Sequence, residues 1–174
     1  MSLRQRLPDV VTPLQSPVTH SVPTPTLAWH DDLLLGDARM DREHEEFVAL
    51  VAALKLAPDD DLAARLDAFA AHAAAHFDTE DRCMAETDFP ARACHADEHA
   101  AVLRSVEGVR RRVAQGDFAV ARRLAAELEA WFPAHVVHLD SALAHWLCKR
   151  RLGGKPVVVR RRTGTASTPV PIAV

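Results

Sequence analysis

Apolar alanine and leucine are interspersed with charged residues through the middle of the chain, in a pattern that favours helices. Between residues 27 and 151 the neighbours of these apolar residues are mainly arginine, glutamate and aspartate, and runs of β-branched residues are scarce. Such a composition has high helix propensity. Breaks in the pattern occur at Pro58, at Phe89-Pro90 and at Gly116, and each stop signal adjoins an aspartate that can cap a helix.

These breaks divide the segment into helices predicted near residues 41–56, 61–86, 90–114 and 118–150. At about 1.5 Å per residue, their lengths suit neighbouring helices joined by short loops. We therefore predict an all-α fold, an antiparallel up-down-up-down four-helix bundle. The bundle is expected to occupy residues 27–151, between a flexible proline-rich extension at 1–26 and a flexible basic tail at 152–174.

Composition narrows the class of protein further. The 174 residues are 48% hydrophobic and 26% charged, which is typical of a globular chain. No apolar run approaches the roughly 20 residues that span a bilayer. The first 30 residues contain no apolar run of signal-peptide length, so a cytoplasmic location is expected. Three cysteines are an odd number for a disulfide framework, and disulfides are not expected.

Charge is distributed unevenly along the chain. The net charge is −3, yet residues 149–174 carry seven Lys or Arg and no acid, which leaves residues 27–148 strongly acidic. A basic tail can gain affinity for nucleic acid by releasing counterions from phosphates. Because glycine, proline, serine and threonine surround its basic residues, we interpret the tail as a solvated extension, and nucleic-acid binding is not expected.

Histidine provides the candidate chemistry, because nine of the ten in the chain fall within residues 30–145. On the second predicted helix His76 and Glu80 are four residues apart, and on the third His95 and His99 have the same spacing. Side chains at i and i+4 share a helix face and can reach one metal ion or a close pair. The candidate ligands from all four helices are His44, His76, Glu80, His95, His99, His135 and Asp140.

The size of this set indicates two metal ions. Five imidazoles and two carboxylates exceed the four ligands that usually satisfy one zinc ion. Imidazole and carboxylate without thiolate favour iron or manganese, with zinc as a further candidate, and two carboxylates can bridge two cations. The segment from His95 to His99 is not a zinc-protease motif, because Ala96 occupies the position of the required glutamate. The paired Glu-x-x-His segments of ferritin-like di-iron bundles are also missing from the sequence.

Spacing alone does not decide which partner His76 takes on the second helix. His72 precedes it by four residues and Glu80 follows it by four. Both pairs share a helix face equally well. A single histidine on a helix is more often a surface or hydrogen-bonded residue than a ligand. That interpretation is favoured for His20, His30, His72, His138 and His145.

The fourth helix contains a second ambiguity. His135 and Asp140 are five residues apart, about 140° around an ideal helix, whereas His138 shares a face with His135. Spacing by itself therefore favours His138 over Asp140. The interior proline at Pro133 is expected to remove a hydrogen bond and to kink the helix just ahead of His135.

The motifs also have a characteristic order. MDREH at 40–44 is followed by HFDTED at 76–81, by HADEH at 95–99 and by WFPAHVVHLD at 131–140. Together with WHDD at 29–32, Gly36, Met84 and Phe89-Pro90, these motifs resemble the hemerythrin family, and more closely its single-domain bacterial members, the bacteriohemerythrins. The resemblance covers residues 27–147, and all seven candidate ligands carry the residue type of the family motif.

The resemblance implies two iron ions that share an oxo or hydroxo bridge. The first iron would be held by His95, His99 and His135. The second would be held by His44 and His76, and Glu80 and Asp140 would bridge the two. The second iron would then be one ligand short, and dioxygen would bind end-on at that five-coordinate ion.

An apolar wall is expected beside the dioxygen position, because reversible binding requires that water, protons and reductants stay away. By their spacing from the ligands, the predicted wall residues are Phe47, Phe77, Trp131 and Val136. The sequence places no acid, serine or cysteine beside them, which favours binding over turnover. We therefore predict an oxygen-binding protein, for storage, delivery or buffering of dioxygen, and not an enzyme.

Two other functions use the same centre. A di-iron enzyme would reduce peroxide, dioxygen or nitric oxide, with His72 as a nearby acid. A sensor module would use the state of the iron to change what the tail binds. Under the leading hypothesis the partners are dioxygen and either an oxygen-consuming enzyme or an electron donor.

Overall fold

The computed structural model describes residues 27–158, so the predicted extension at 1–26 and most of the predicted tail lie outside it. A 3-10 turn at Asp31–Leu33 precedes the first α-helix, and no strand occurs in the described part of the chain. One π-helical turn, Val136–Asp140, joins the last two helices. The α-helices are α1 (Ala38–Leu56), α2 (Asp59–Glu86), α3 (Arg92–Val113), α4 (Ala119–His135) and α5 (Ser141–Leu152).

The prediction of an all-α four-helix bundle is confirmed. The helices α4 and α5 and the π turn between them form one long rod, so the bundle consists of four antiparallel rods. Each rod packs against the next in sequence, and α4 closes the ring against α1. Within residues 27–158, no helix combines the length and apolar character needed to cross a membrane.

α1 begins three residues earlier than predicted because Asp37 caps it. The Asp37 carboxylate accepts hydrogen bonds from the backbone N–H groups of Arg39 at 3.1 Å and Met40 at 3.2 Å. Within the first turn, the Asp41 carboxylate accepts the N–H of Leu35 at 2.7 Å. The leading segment is thereby tied to the start of the helix.

The aspartates at the other breaks do not cap helices, contrary to the prediction. α2 begins directly after Pro58, and the three carboxylates in its first turn stabilise it through the helix dipole instead. Asp88 adopts a φ of 53°, the left-handed conformation that aspartate tolerates better than most residues. Asp117 forms an ion pair with Arg112. The other helix ends differ from their predicted positions by two residues or fewer.

The fourth rod changes its winding beside the predicted ligands. Pro133 has no N–H, so one carbonyl in the preceding turn lacks its usual helical partner. The N–H of Ser141 bonds to the carbonyl of Val136, five residues back, which is the pattern of a π-helix. The extra residue in this turn brings Asp140 around to the face occupied by His135.

After α5 the chain runs beside the segment that precedes α1. Gly36 has a φ of +81°, a conformation that side chains other than glycine rarely adopt. A Cβ atom at Gly36 would lie 3.1 Å from the Cβ of Pro156 and 3.5 Å from a methyl of Val158. The described part of the predicted tail therefore contacts the bundle.

The core is layered along the bundle axis. The far end, beside the α1–α2 and α3–α4 loops, contains the aliphatic residues Leu54, Leu62, Leu66, Val113 and Val120. An aromatic layer follows, in which Phe47 stacks on Phe132 at a ring-centroid distance of 4.4 Å and meets Phe69 edge-on at 5.1 Å. At the opposite end the buried residues are Met40, Met84, Leu143 and Leu147. The buried polar residues lie between the aromatic layer and this end.

Candidate metal centre

Every rod of the bundle contributes to one buried polar cluster. α1 provides one histidine, α2 a histidine and a glutamate, and α3 two histidines, while the fourth rod provides a histidine and an aspartate. All seven are 3% exposed or less, and the two carboxylates are fully buried. The cluster brings together every ligand predicted from the sequence: His44, His76, Glu80, His95, His99, His135 and Asp140.

Glu80 divides its two carboxylate oxygens between two groups of histidines. Its Oε2 lies 3.6 Å from Nε2 of His95 and 3.4 Å from Nε2 of His99. Its Oε1 lies 3.9 Å from Nε2 of His76. The carboxylate therefore faces ring nitrogens of α3 on one side and of its own helix on the other.

Asp140 divides its oxygens in the same way. Its Oδ1 lies 3.0 Å from Nε2 of His95 and 3.2 Å from Nε2 of His135. Its Oδ2 lies 3.3 Å from Nε2 of His44. Both carboxylates thus connect the same two groups, one with three histidines and one with two.

The donor atoms at the centre of the cluster lack hydrogen-bond partners. Both oxygens of Glu80 and of Asp140, and Nε2 of four of the five histidines, are buried without a hydrogen bond of acceptable geometry. Burying polar atoms without partners costs free energy, and coordination to a cation removes that cost. A donor set of nitrogen and oxygen without sulfur suits iron or manganese. The residues therefore fit metal ions.

The donor atoms fall into two overlapping groups, and within each group all of them lie within 4.8 Å of one another. The larger group comprises Glu80, His95, His99, His135 and Asp140. The smaller group comprises His44, His76 and Glu80. The two groups share Glu80, and Asp140 of the larger group also contacts His44 of the smaller one, so both belong to one continuous cluster.

Three further carboxylates hold the outer nitrogens of cluster histidines. A carboxylate can only accept, so the Nδ1–H of each histidine donates, and Nε2 carries a lone pair towards the centre. Each carboxylate reaches from one rod to the next around the bundle. The pairs, each at 3.0 Å, are Glu43 with His76, Asp81 with His99, and Glu98 with His135.

Two of these contacts lower the pKa of the carboxylate and so favour its ionised form, those of Glu43 and Glu98. Burial tends to raise the pKa of Glu43, but the hydrogen bond from His76 and the charge of Arg39 bring the pKa below its ordinary value. The hydrogen bond from His135 lowers the pKa of Glu98, and a second hydrogen bond from the indole of Trp131 acts in the same direction. An ionised acceptor increases the basicity of the ligand nitrogen across the ring.

Sequence reasoning missed the outer carboxylates. Glu43 and Glu98 each immediately precede a predicted ligand, and Asp81 immediately follows one. That adjacency was the available signal. It does not identify the histidine that each one binds, because that histidine lies on a different helix.

Of the four predicted wall residues, Phe77 and Trp131 contact rings of cluster histidines. Phe47, Phe77 and Val136 are buried, and Trp131 is half-buried. The ring of Phe77 stacks on His99 at 4.1 Å, and that of Trp131 lies 4.2 Å from His135. Sequence reasoning missed one wall residue, Phe132, whose ring meets that of His44 edge-on at 5.4 Å.

The remaining described histidines lie outside the cluster. His72 is half-buried, and its Nε2 is 3.0 Å from the main-chain oxygen of Glu43. Burial lowers the pKa of His72, which favours its neutral form. The spacing that favoured His138 over Asp140 is misleading, because the π turn leaves His138 exposed. His30 and His145 are also exposed, and His20 lies outside the described residues.

Comparison with known proteins agrees with this geometry. A family model described as the hemerythrin HHE cation binding domain matches residues 35–147. A bacteriohemerythrin from Ralstonia nicotianae is 43% identical over 126 residues, which cover 72% of this chain and 92% of that protein. The matched family range includes all seven residues of the cluster, which is thus a candidate iron site. The chain belongs to the hemerythrin family.

Proposed function

We propose that this protein is a non-haem di-iron protein that binds dioxygen reversibly, for storage, delivery or buffering, and is not an enzyme. The observation that carries the proposal is the way in which Glu80 and Asp140 share their oxygens. One group combines three imidazoles with an oxygen from each carboxylate. The other combines two imidazoles with an oxygen from each carboxylate. The proposed iron ligands are His44, His76, Glu80, His95, His99, His135 and Asp140.

This sharing supports two metal positions of unequal coordination. The three-histidine position has five donors from the protein, and the two-histidine position has four. With an oxo or hydroxo bridge as one further donor to each iron, the iron held by His44, His76, Glu80 and Asp140 would be five-coordinate and could accept dioxygen end-on. When bound there, a ferrous pair supplies the two electrons that dioxygen takes up on binding and returns on release.

Aromatic side chains cover the two-histidine side of the cluster. Phe132 packs against His44, and Phe77 lies 5.5 Å from His76. Phe47 does not contact these histidines in the described ring contacts, but its ring stacks on that of Phe132 at 4.4 Å. Apolar rings at these positions exclude water and protons, which supports reversible binding of dioxygen over its further reduction.

The acid considered for an enzymatic role is directed elsewhere. His72 hydrogen-bonds through Nε2 to the main-chain oxygen of Glu43, and its Nδ1 lies 3.6 Å from a carboxylate oxygen of Glu46. Both ring nitrogens are therefore engaged with α1. This arrangement favours binding of dioxygen over reduction of peroxide, dioxygen or nitric oxide.

Absorbance spectra of the iron-loaded protein test the proposal. The full chain is loaded anaerobically with ferrous iron, exposed to air, returned to argon and cycled repeatedly. Charge-transfer bands are expected to appear in air and to disappear under argon in each cycle. Irreversible oxidation within the first few cycles, or spectra without such bands, would contradict oxygen carriage.

Two histidine variants provide a matched comparison. His44→Ala removes a donor from the two-histidine group and is expected to abolish the reversible bands. His138→Ala removes an exposed histidine three residues from His135 and is expected to retain them. Equal behaviour of the two variants would contradict the proposed role of the two-histidine position.

A further inference from the structure

A groove between α3 and α4 opens to the protein surface beside the cluster. Its volume is about 280 Å³, and most of its lining surface is apolar. Val102 and Leu128 contribute to its apolar lining, and Glu98 and Glu127 are its two carboxylates. We call it the α3–α4 groove. Trp131 also lines this groove and separates it from the cluster.

Trp131 and Glu98 connect the α3–α4 groove directly to His135. The indole N–H of Trp131 donates to Oε2 of Glu98 at 3.2 Å, and Nδ1 of His135 donates to the same oxygen at 3.0 Å. The rings of Trp131 and His135 lie 4.2 Å apart. Glu98, one of the three outer carboxylates, therefore belongs both to the lining of the groove and to the surroundings of the cluster.

The geometry points to the α3–α4 groove as the binding site of a small hydroquinone-class electron donor, whose electrons reach the metal centre through Trp131 and His135. This inference rests on the proposed di-iron function. It adds a site and a chemical class of partner to that function.

The chemistry of the groove matches this class of donor. A flat aromatic ring suits an apolar groove of this size, and its two hydroxyl groups can donate to carboxylate oxygens such as those of Glu98 and Glu127. The contacts of Glu98 with Trp131 and His135 both use Oε2, which leaves Oε1 to accept from a ligand. Two carboxylates at the groove, on a strongly acidic bundle, disfavour an anionic donor.

The two electrons that a hydroquinone gives up also equal the number that two ferric ions accept. A hydroquinone loses two electrons and its two hydroxyl protons and becomes a quinone. Each of two ferric ions takes one electron and becomes ferrous, and the two protons pass to water at the open mouth of the groove. Such a donor returns a centre that has lost its electrons to the ferrous state that binds dioxygen.

Binding is tested first, with a probe that cannot be oxidised to a quinone. Calorimetric titration of the full chain with 2,7-dihydroxynaphthalene is expected to show one site. Ala101→Phe places a ring in the groove and is expected to weaken binding by about tenfold or more. Ala68→Phe, at an exposed alanine of α2, is the matched control and should bind as the unaltered chain does.

Electron transfer is tested with stopped-flow absorbance on the oxidised, iron-loaded protein. The rate of reduction by 1,4-naphthohydroquinone is expected to saturate with donor concentration, and to fall by about tenfold or more in Ala101→Phe but not in Ala68→Phe. The 2-sulfonate of the same donor, which carries a negative charge, is expected to react more slowly and without saturation.

The outcomes separate this inference from the proposed function. No calorimetric binding, or equal binding by the two alanine variants, overturns the groove site whether or not the chain holds iron. Binding together with reduction rates that do not saturate and do not differ between the variants overturns the electron route. A chain that binds the probe but holds no iron overturns the proposed function and the electron route, and leaves the site itself supported.

Discussion

Among the residues that the structure describes, those buried at the far end of the bundle, such as Leu54, Leu62 and Val113, are apolar. The other half of the bundle, which contains the polar cluster and is here called the metal end, buries seven histidine, glutamate and aspartate side chains in the same four rods. The far end is packed as an ordinary core, whose burial stabilises the fold by the hydrophobic effect. The metal end buries atoms that are costly without a cation.

This difference indicates that stability and function are separated along the bundle axis. The aliphatic far end and the aromatic layer bury apolar area whether or not metal is present. The metal end is expected to gain stability from coordination, because most of its donor atoms have no hydrogen-bond partner. We therefore expect changes at the two ends to have different and separable consequences.

Removing the metal ions is expected to produce the largest difference between the two ends. Without cations the buried donors of the cluster lose their partners, while the contacts of the far end stay the same. Hydrogen exchange followed by mass spectrometry should show loss of protection around His44 and His95 but little change around Leu54. A uniform loss of protection along α1 would contradict the separation of the two ends.

Leu62→Ala is expected to lower the free energy of unfolding by about 2–5 kcal/mol, because it leaves a cavity in the far end. The metal content should not change, since Leu62 is remote from the cluster. Chemical denaturation and metal analysis measure the two quantities. Leu56→Ala, at a leucine that is 81% exposed, is the control and should have little effect. Loss of metal from Leu62→Ala would show that the ends are coupled.

Asp81→Ala is expected to weaken metal binding by about 10- to 100-fold, because it removes the carboxylate that orients His99. Asp78→Ala is the matched control on the same helix, since Asp78 is exposed and pairs only with Arg82 in the described contacts. Competition titration with a chelator measures the affinities. Indistinguishable affinities in the two variants would show that the outer carboxylates do not support the centre.

The smallest effect is expected at Asp37, which caps the metal end of α1 without contacting the cluster. Asp37→Ala should lower the free energy of unfolding by about 0.5–2 kcal/mol. Asp37→Asn should lower it less, because asparagine also caps a helix. Thermal unfolding of both variants measures the difference. A loss of metal in Asp37→Ala would indicate that the start of α1 positions His44.

The number and order of the helices could be predicted because proline, glycine and acidic residues interrupt long runs of helix formers. The exact starts could not be predicted in the same way. At Asp37 an aspartate ahead of the predicted start satisfies the first N–H groups of α1, whereas Asp117 pairs with Arg112 instead of capping α4. Which role an aspartate takes depends on neighbours that only the folded chain supplies.

Histidine spacing could predict a cluster, but not the whole of its geometry. Asp140 would not be chosen from an ideal helix, because the π turn that brings it to His135 adds a residue that helical periodicity does not include. Glu43 and Glu98 act on histidines of the next rod, so their roles depend on tertiary packing. The assignment of the seven clustered residues as iron ligands stays a prediction.

The most direct test of the account is a crystal structure of the iron-loaded protein with anomalous scattering measured at the iron edge. The account predicts two anomalous peaks, both adjacent to Glu80 and Asp140, one beside three histidines and the other beside His44 and His76. A single peak, or a pair of peaks that Glu80 and Asp140 do not connect, would contradict it.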